Sequence, residues 1–330
     1  MKKMFIRCDD IGYSKVFNLG AFEALQNGVG TSADVMLDCP GTEDALCRLK
    51  EMPWISVGWH CHFWGAPVLP SNRVPTLVEH SGEFDGRFRL DLRTAGDVSY
   101  IELKAELKEE LTRCLDFYGK VPAYGGDSGG ADRDNPMAKA MGEIIEEYGI
   151  TTGWCLKKGS DPRVRELVIK SRQQDANWAA AFKLRQTGDD HLPSPKWANR
   201  NIVMLDGEFA YIDLYTDSIA AVEENYNPVK YYTENRAGIL DFDDGTIVGQ
   251  AWHPGYIDYF VYRQGERGNR PRAQQFVVCR AQDAHALCSK ELHDWIKENK
   301  IELVSIGDAI YDKRDYQNHL KKIGSDLAVL

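Results

Sequence analysis

The chain has 330 residues, 40 basic against 50 acidic, for a formal net charge of −10, and 43% of it is hydrophobic. A chain of that length buries a full core as one large α/β domain, and its acidic balance argues against a phosphate-backbone or anionic-membrane partner. The eight cysteines form no Cys-x-x-Cys pair and read as free buried thiols, not as a disulfide framework or a cysteine zinc site.

At the N-terminus only Met4, Phe5 and Ile6 are consecutively apolar before Arg7 and Asp9, too short a run for a signal peptide or membrane helix. A cytoplasmic protein is therefore expected. Those residues form a first strand that runs into two adjacent carboxylates, Asp9 and Asp10, and then Gly12. Phe17, Ala21, Ala24 and Leu25 mark the inner face of a helix closed by Asn27-Gly28. A strand follows at 31–37 and a short helix at 41–51. In a third strand, Ile55, Val57, Trp59 and Cys61 alternate with Ser56, Gly58, His60 and His62. Residues 64–97 read as a long loop.

Ser99 opens a helix with Glu102 as the other half of a capping box and Leu103, Leu107, Leu111 and Leu115 facing inward. A short strand at 122–127 precedes a helix that starts at Asn135-Pro136 and stops at Gly149. Strands at 151–156, 202–205 and 246–252, a helix at 282–299, a strand at 301–306 and a last helix from about 307 complete the order. Such alternation predicts an α/β protein with a parallel sheet, and seven or eight units fit an irregular, TIM-barrel-like (β/α) barrel. Residues 1–330 read as a single domain with an insertion at about 157–200, carrying Trp178 and Trp197, over the strand ends.

Ligands of α/β proteins sit at the C-terminal ends of strands. A carboxylate pair there reads as one metal ligand beside one general base, with a solvated turn and an Asp helix cap as the plainer account. His60 and His62, two residues apart, share one strand face, His62 one pleat or about 6.5 to 7 Å further along. The strand at 246–252 delivers His253 to a turn fixed by Pro254 and Gly255. Trp59 and Trp252 alternate away from the histidines and read as packing. Trp64 and the tryptophans of the insertion are better platforms for a sugar ring.

In this order, DDIG at 9–12, GWHCHFW at 58–64 and HPGY at 253–256 resemble the YdjC/ChbG-type carbohydrate deacetylase family, with its DDxG, Gly-x-His and His-Pro-Gly motifs. GVGTSADVML at 28–37 and PGYID at 254–258 extend the likeness. The resemblance implies an irregular (β/α) barrel, a divalent metal ion (zinc or magnesium) held by an Asp and two His, and removal of acetyl groups from N-acetylated sugars. Carried over by position, Asp9 is expected as general base, Asp10 and His60 as metal ligands, and His253 near the reacting amide. A small carbohydrate is then the expected partner, with no nucleic acid or membrane, and a homo-oligomer is left open.

The chain departs from the family at one motif. Where DSHxHxH is expected, DSGGADR stands at 127–133, with Gly129, Ala131 and Arg133 at the histidine positions. Asp127, which keeps its place, is the first candidate for the remaining ligand, followed by His62 and Asp132. Otherwise His62 contacts substrate together with Trp64 and Ser128. The missing imidazoles also leave two alternatives, a non-catalytic sugar-binding barrel and a hydrolase of another amide or ester. The string GDSGG at 126–130 resembles the nucleophile segment of chymotrypsin-like proteases, but the chain has no Ala-Ala-His-Cys and is not all-β.

Overall fold

Strand β1 (Lys3–Ile11) sends Met4, Ile6 and Cys8 into the main apolar core and Phe5 into a smaller cluster on its other face. Burial on both faces is what a central strand of a parallel sheet requires. The computed structural model describes residues 1–92, 95–125, 136–151, 202–206, 220, 222, 224, 226–236, 238–267 and 273–329. Within them, β2 (Ser32–Val35), β3 (Ser56–Trp59) and β4 (Tyr124–Gly125) extend the sheet on one side of β1. On the other side lie β6 (Ile247–Trp252) and then β5 (Ile202–Asp206). Strand β7 (Glu302–Leu303) pairs with Lys3 and Met4, while β2 pairs with β1 from Arg7 onward. Because β6 runs along Lys3 to Cys8, β2 and β7 share the opposite edge of β1. Every strand pair among the described residues is parallel.

Helices alternate with these strands. Ser14 caps α1 (Lys15–Gln26), and Phe17, Ala21, Ala24 and Leu25 are buried as the periodicity predicts. Helix α2 (Thr42–Lys50) precedes β3, and α3 (Tyr100–Tyr118) starts at Ser99, whose hydroxyl accepts the Glu102 N–H. The expected capping box is only half made, because the Glu102 carboxylate accepts instead from the N–H and hydroxyl of Thr76. The Ser99 N–H in turn donates to Thr76 Oγ1. Leu115 is exposed and Cys114 is buried, since four-residue steps overshoot the 3.6-residue turn and carry the fourth leucine off the inner face. Helix α4 (Pro136–Tyr148) stops at Gly149, with φ 65°.

The C-terminal half departs more from the sequence reading. The described segments include α5 (Pro228–Thr233), α6 (Tyr259–Arg267), α7 (Ala273–Leu287), α8 (Lys290–Glu298), α9 (Ile306–Tyr311) and α10 (Asp315–Lys322). The single helix expected at 282–299 is two, because Ser289 accepts the Leu292 N–H and restarts the chain as α8. The strand expected at 55–62 ends at Trp59, and of the one at 151–156 the described part is a single bridge from Thr151 to Tyr124. Within the expected 64–97 loop, residues 64–92 pack closely with three short 3-10 turns, burying Val74, Leu77, Val78 and Phe88. The 157–200 insertion and Asp127, Ser128 and Asp132 lie outside the described residues. Among the described residues the cysteines are free, and no helix is long and apolar enough to cross a membrane.

Candidate active site

Neighbouring residues of a regular strand face opposite sides, so Asp9 and Asp10 can serve one site only through an irregularity. Between Cys8 paired with Ala33 and Ile11 paired with Val35, β1 takes three steps against two in β2, and Asp10 adopts φ 61°. Such a bulge re-aims a side chain, and Asp is among the few residue types that tolerate left-handed backbone. Gly12, at φ 102°, completes the turn, where a Cβ would stand 2.7 Å from the Met36 carbonyl oxygen.

The two carboxylates then meet different partners. Arg7 lies between Asp9 and Asp34, with Nη2 2.5 Å from Asp9 Oδ2 and Nη1 3.2 Å from Asp34 Oδ2. Asp9 Oδ1 is buried and accepts no hydrogen bond from any described residue. Burial pushes the Asp9 carboxyl up to about 6, against the pull of Arg7 and His60. Burial acts the same way on Asp10 but is outweighed, chiefly by the Arg280 guanidinium and then by His60, so Asp10 stays well below the usual carboxylate range. Arg280 Nη2 lies 2.5 Å from Asp10 Oδ2.

The histidines converge on the other oxygen of Asp10. The His60 N–H donates to the Val35 carbonyl just past the end of β3, and His60 Nε2 lies 3.1 Å from Asp10 Oδ1. His62 Nε2 is 3.9 Å from the same oxygen. The two rings are 4.1 Å apart and perpendicular, closer than the expected pleat. The strand has already ended at Trp59, and Phe63 turns the chain at φ 57°. Ligand atoms of Asp10, His60 and His62 all lie within 4.8 Å of one another, a donor set that suits a divalent metal ion. Burial lowers the pKa of His60, but Asp9, Asp10 and Asp34 together leave it raised.

His253 follows β6, and its N–H donates to Asp283 Oδ2 at 2.8 Å. Burial, aided by Arg280 and His60 and opposed by Asp10, takes its imidazole down to about 3, so it is neutral at pH 7. Trp64 lies 5.4 Å from the His62 ring and 5.6 Å from Tyr13, which in turn lies 6.3 Å from Phe260. Arg87 and Gln264 both donate to the Trp64 carbonyl. Trp59 and Trp252 are buried packing residues.

Sequence reasoning passed over Asp34, Arg280 and Asp283. Asp34 sits in the GTSADVML stretch, and the i, i+3 spacing of Arg280 and Asp283 was the only trace of their shared helix face. Neither signal says what lies opposite.

The family model described as YdjC-like protein matches residues 3–298. The chain is 30% identical over 123 residues to the chitooligosaccharide deacetylase of Serratia marcescens, 37% of this chain and 47% of that one. It is 44% identical over 120 residues to a carbohydrate deacetylase of Geobacillus stearothermophilus, 36% of this chain and 46% of that one. The chain thus spans less than half the length of these two relatives. With carbohydrate deacetylase 2 of Listeria innocua it shares 24% identity over 309 residues, 93% of this chain and 98% of that one. A crystal structure from Enterococcus faecalis V583, named for cellobiose-phosphate cleavage, superposes with a TM-score of 0.57 at 19% identity, covering 92% of this chain and 97% of that one. That last likeness is one of fold. A single family model runs from the first residue of β1 to the end of α8, through every element that positions the site, and the chain belongs to the YdjC-like protein family.

Proposed function

We propose that this chain is a metal-dependent hydrolase that removes the acetyl group from an N-acetylated amino sugar or short oligosaccharide. The observation that carries this reading is the convergence of Asp10, His60 and His62 beside a buried Asp9 whose Oδ1 is unpaired among the described residues. Asp10, His60 and His62 would hold the ion, so His62, second to Asp127 among the candidates for the remaining ligand, becomes a ligand instead of a substrate contact. Two imidazoles and one carboxylate favour a zinc-like ion over magnesium, which prefers oxygen ligands. When bound, the ion supplies a Lewis acid for the acetyl carbonyl and lowers the pKa of water.

The protein's own groups do the rest. Arg7 fixes Asp9 Oδ2, leaving Oδ1 to accept the proton of the attacking water. A carboxyl held near 6 is then a competent acid for the departing amine. His253, neutral at pH 7, hydrogen-bonds the reacting group without placing a further positive charge beside Arg280. Trp64 offers a ring face to the sugar. The relatives named as deacetylases support the same chemistry.

We read the sheet as an irregular (β/α) barrel within a single domain, 1–330. Tyr124 and Ile202 come from β4 and β5 at opposite edges of the sheet and yet share a cluster with Phe5, which supports curling toward closure. A cytoplasmic location and a small-carbohydrate partner complete the reading.

Metal analysis of the purified protein, combined with acetate release from N-acetylglucosamine and its oligomers, tests the proposal. Stoichiometric metal and release abolished by a chelator are expected. Sugar binding without acetate release would replace the hydrolase with a carbohydrate-binding barrel, and release that survives chelation would remove the metal.

A further inference from the structure

Four contacts radiate from one turn of α7. Arg280 Nη2 donates to Asp10 Oδ2 at 2.5 Å, and the Arg280 carbonyl accepts the Gly255 N–H at 3.1 Å. Asp283 Oδ2 accepts the His253 N–H at 2.8 Å, and its Oδ1 accepts the Tyr226 hydroxyl at 2.5 Å. Both side chains are buried, Arg280 at 3% exposure and Asp283 at 0%. One helix turn therefore grips both the bulge of β1 and the His253-Pro254-Gly255 turn beyond β6.

We propose that Arg280 and Asp283 are positioning residues with separate duties, Arg280 presenting Asp10 to the metal ion and Asp283 setting the place of His253. The assignment rests on the metal-dependent reading above. A carboxylate free to rotate offers either oxygen. Here the planar guanidinium fixes one of them, which leaves Oδ1 turned toward His60 and His62, 3.1 and 3.9 Å away. Asp283 accepts hydrogen bonds from His253 and Tyr226 and, among the described residues, makes none with Asp10. Loss of Arg280 should therefore act on ion uptake, and loss of Asp283 on turnover.

The separation is tested on the metal-free full-length protein by calorimetric titration with Zn²⁺ and by the visible absorption of added Co²⁺. Removing a group that orients a ligand typically costs about 10–100-fold in metal affinity, so Arg280→Met is expected to lose that much and to shift the cobalt spectrum. Asp283→Asn is expected to bind zinc like the parent while kcat falls and KM holds. Because a buried charge left unpaired threatens folding, Arg280→Lys carries the same test. It keeps the cation but not the planar fork, and its cobalt spectrum should shift.

Parent-like affinity and spectrum in both Arg280 variants would overturn the role of Arg280 and leave the metal reading standing. Equal loss of zinc affinity in Asp283→Asn and Arg280→Met would show that the turn only supports the fold. A parent protein that takes up no ion would overturn the metal reading and this assignment with it.

Discussion

Gly58→Ala perturbs the row of inward-facing residues that supports Asp9. Gly58 lies in register between Asp34 of β2 and Tyr124 of β4, and a Cβ there would stand 2.1 Å from Tyr124 Cε2 and 2.5 Å from Asp34 Oδ1. Neither neighbour has room to retreat, with Tyr124 at 0% and Asp34 at 1% exposure. Overpacking a filled core costs about 1–3 kcal/mol, and contacts this short belong at the top of that range. Restricting the unfolded chain by replacing glycine recovers about 0.4–1 kcal/mol, for a net loss of about 2 kcal/mol.

At roughly 2.1 cal/mol/K of unfolding entropy per residue, a chain of this length should melt only about 3 °C lower. Activity should respond far more, because Asp34 holds Arg7 and Arg7 holds Asp9. Misplacing a catalytic group by about 1 Å costs on the order of 10²-fold, and kcat is expected to fall by about that factor. Scanning calorimetry and acetate release measure the two effects side by side. An alanine variant with unchanged melting temperature and full turnover would refute the argument that glycine is required to make space here.

Three further outcomes are expected. His62→Ala should lose bound metal on elemental analysis while Asp127→Ala keeps most of it, and the reverse order would return the third ligand to Asp127. Asp9→Asn should retain metal and fold but lose turnover. The acidic limb of kcat/KM in the parent should fall at or below about pH 6, since Asp9 must ionise to accept a proton and a neighbouring cation only lowers its pKa. A limb that persists in Asp9→Asn would place the base elsewhere. Burial lifts Glu106 to about 7, although it accepts the N–H groups of Val68 and Leu69 in the 64–97 loop. Its native state holds the proton more tightly than the unfolded chain, so its contribution to stability is full below about pH 4.5 and lost as pH rises to about 7. Urea denaturation should therefore find Glu106→Gln gaining on the parent across that window, by at most about 3 kcal/mol, and a constant difference at pH 4.5 and 7.5 would contradict the shifted carboxyl.

Period, caps and turn residues fix local conformation, and these were legible in the chain itself. Phe17, Ala21, Ala24 and Leu25 announce the buried face of α1, Ser99 the start of α3, and Gly149 the end of α4. The alternation of such elements gives a parallel α/β sheet, and three short motifs in order give the family. Local pattern did not reveal where an element would be interrupted by a contact from elsewhere. Glu102 leaves its capping box for Thr76, whereas the break at Ser289 in the helix expected at 282–299 is a local N-cap that the periodicity alone did not mark.

The candidate site shows the same division. Asp9, Asp10, His60 and His253 stand out in sequence because ionisable groups beside apolar strands call for an explanation. That Asp9 and Asp10 stand on a bulge depends on the pairing of β1 with β2. That His62 reaches Asp10 depends on β3 stopping at Trp59, and that Arg280 meets Asp10 depends on a packing contact between residues 270 positions apart. Periodicity records which face of an element is buried, but the partner on that face is chosen by long-range packing, and only the tertiary structure holds that choice.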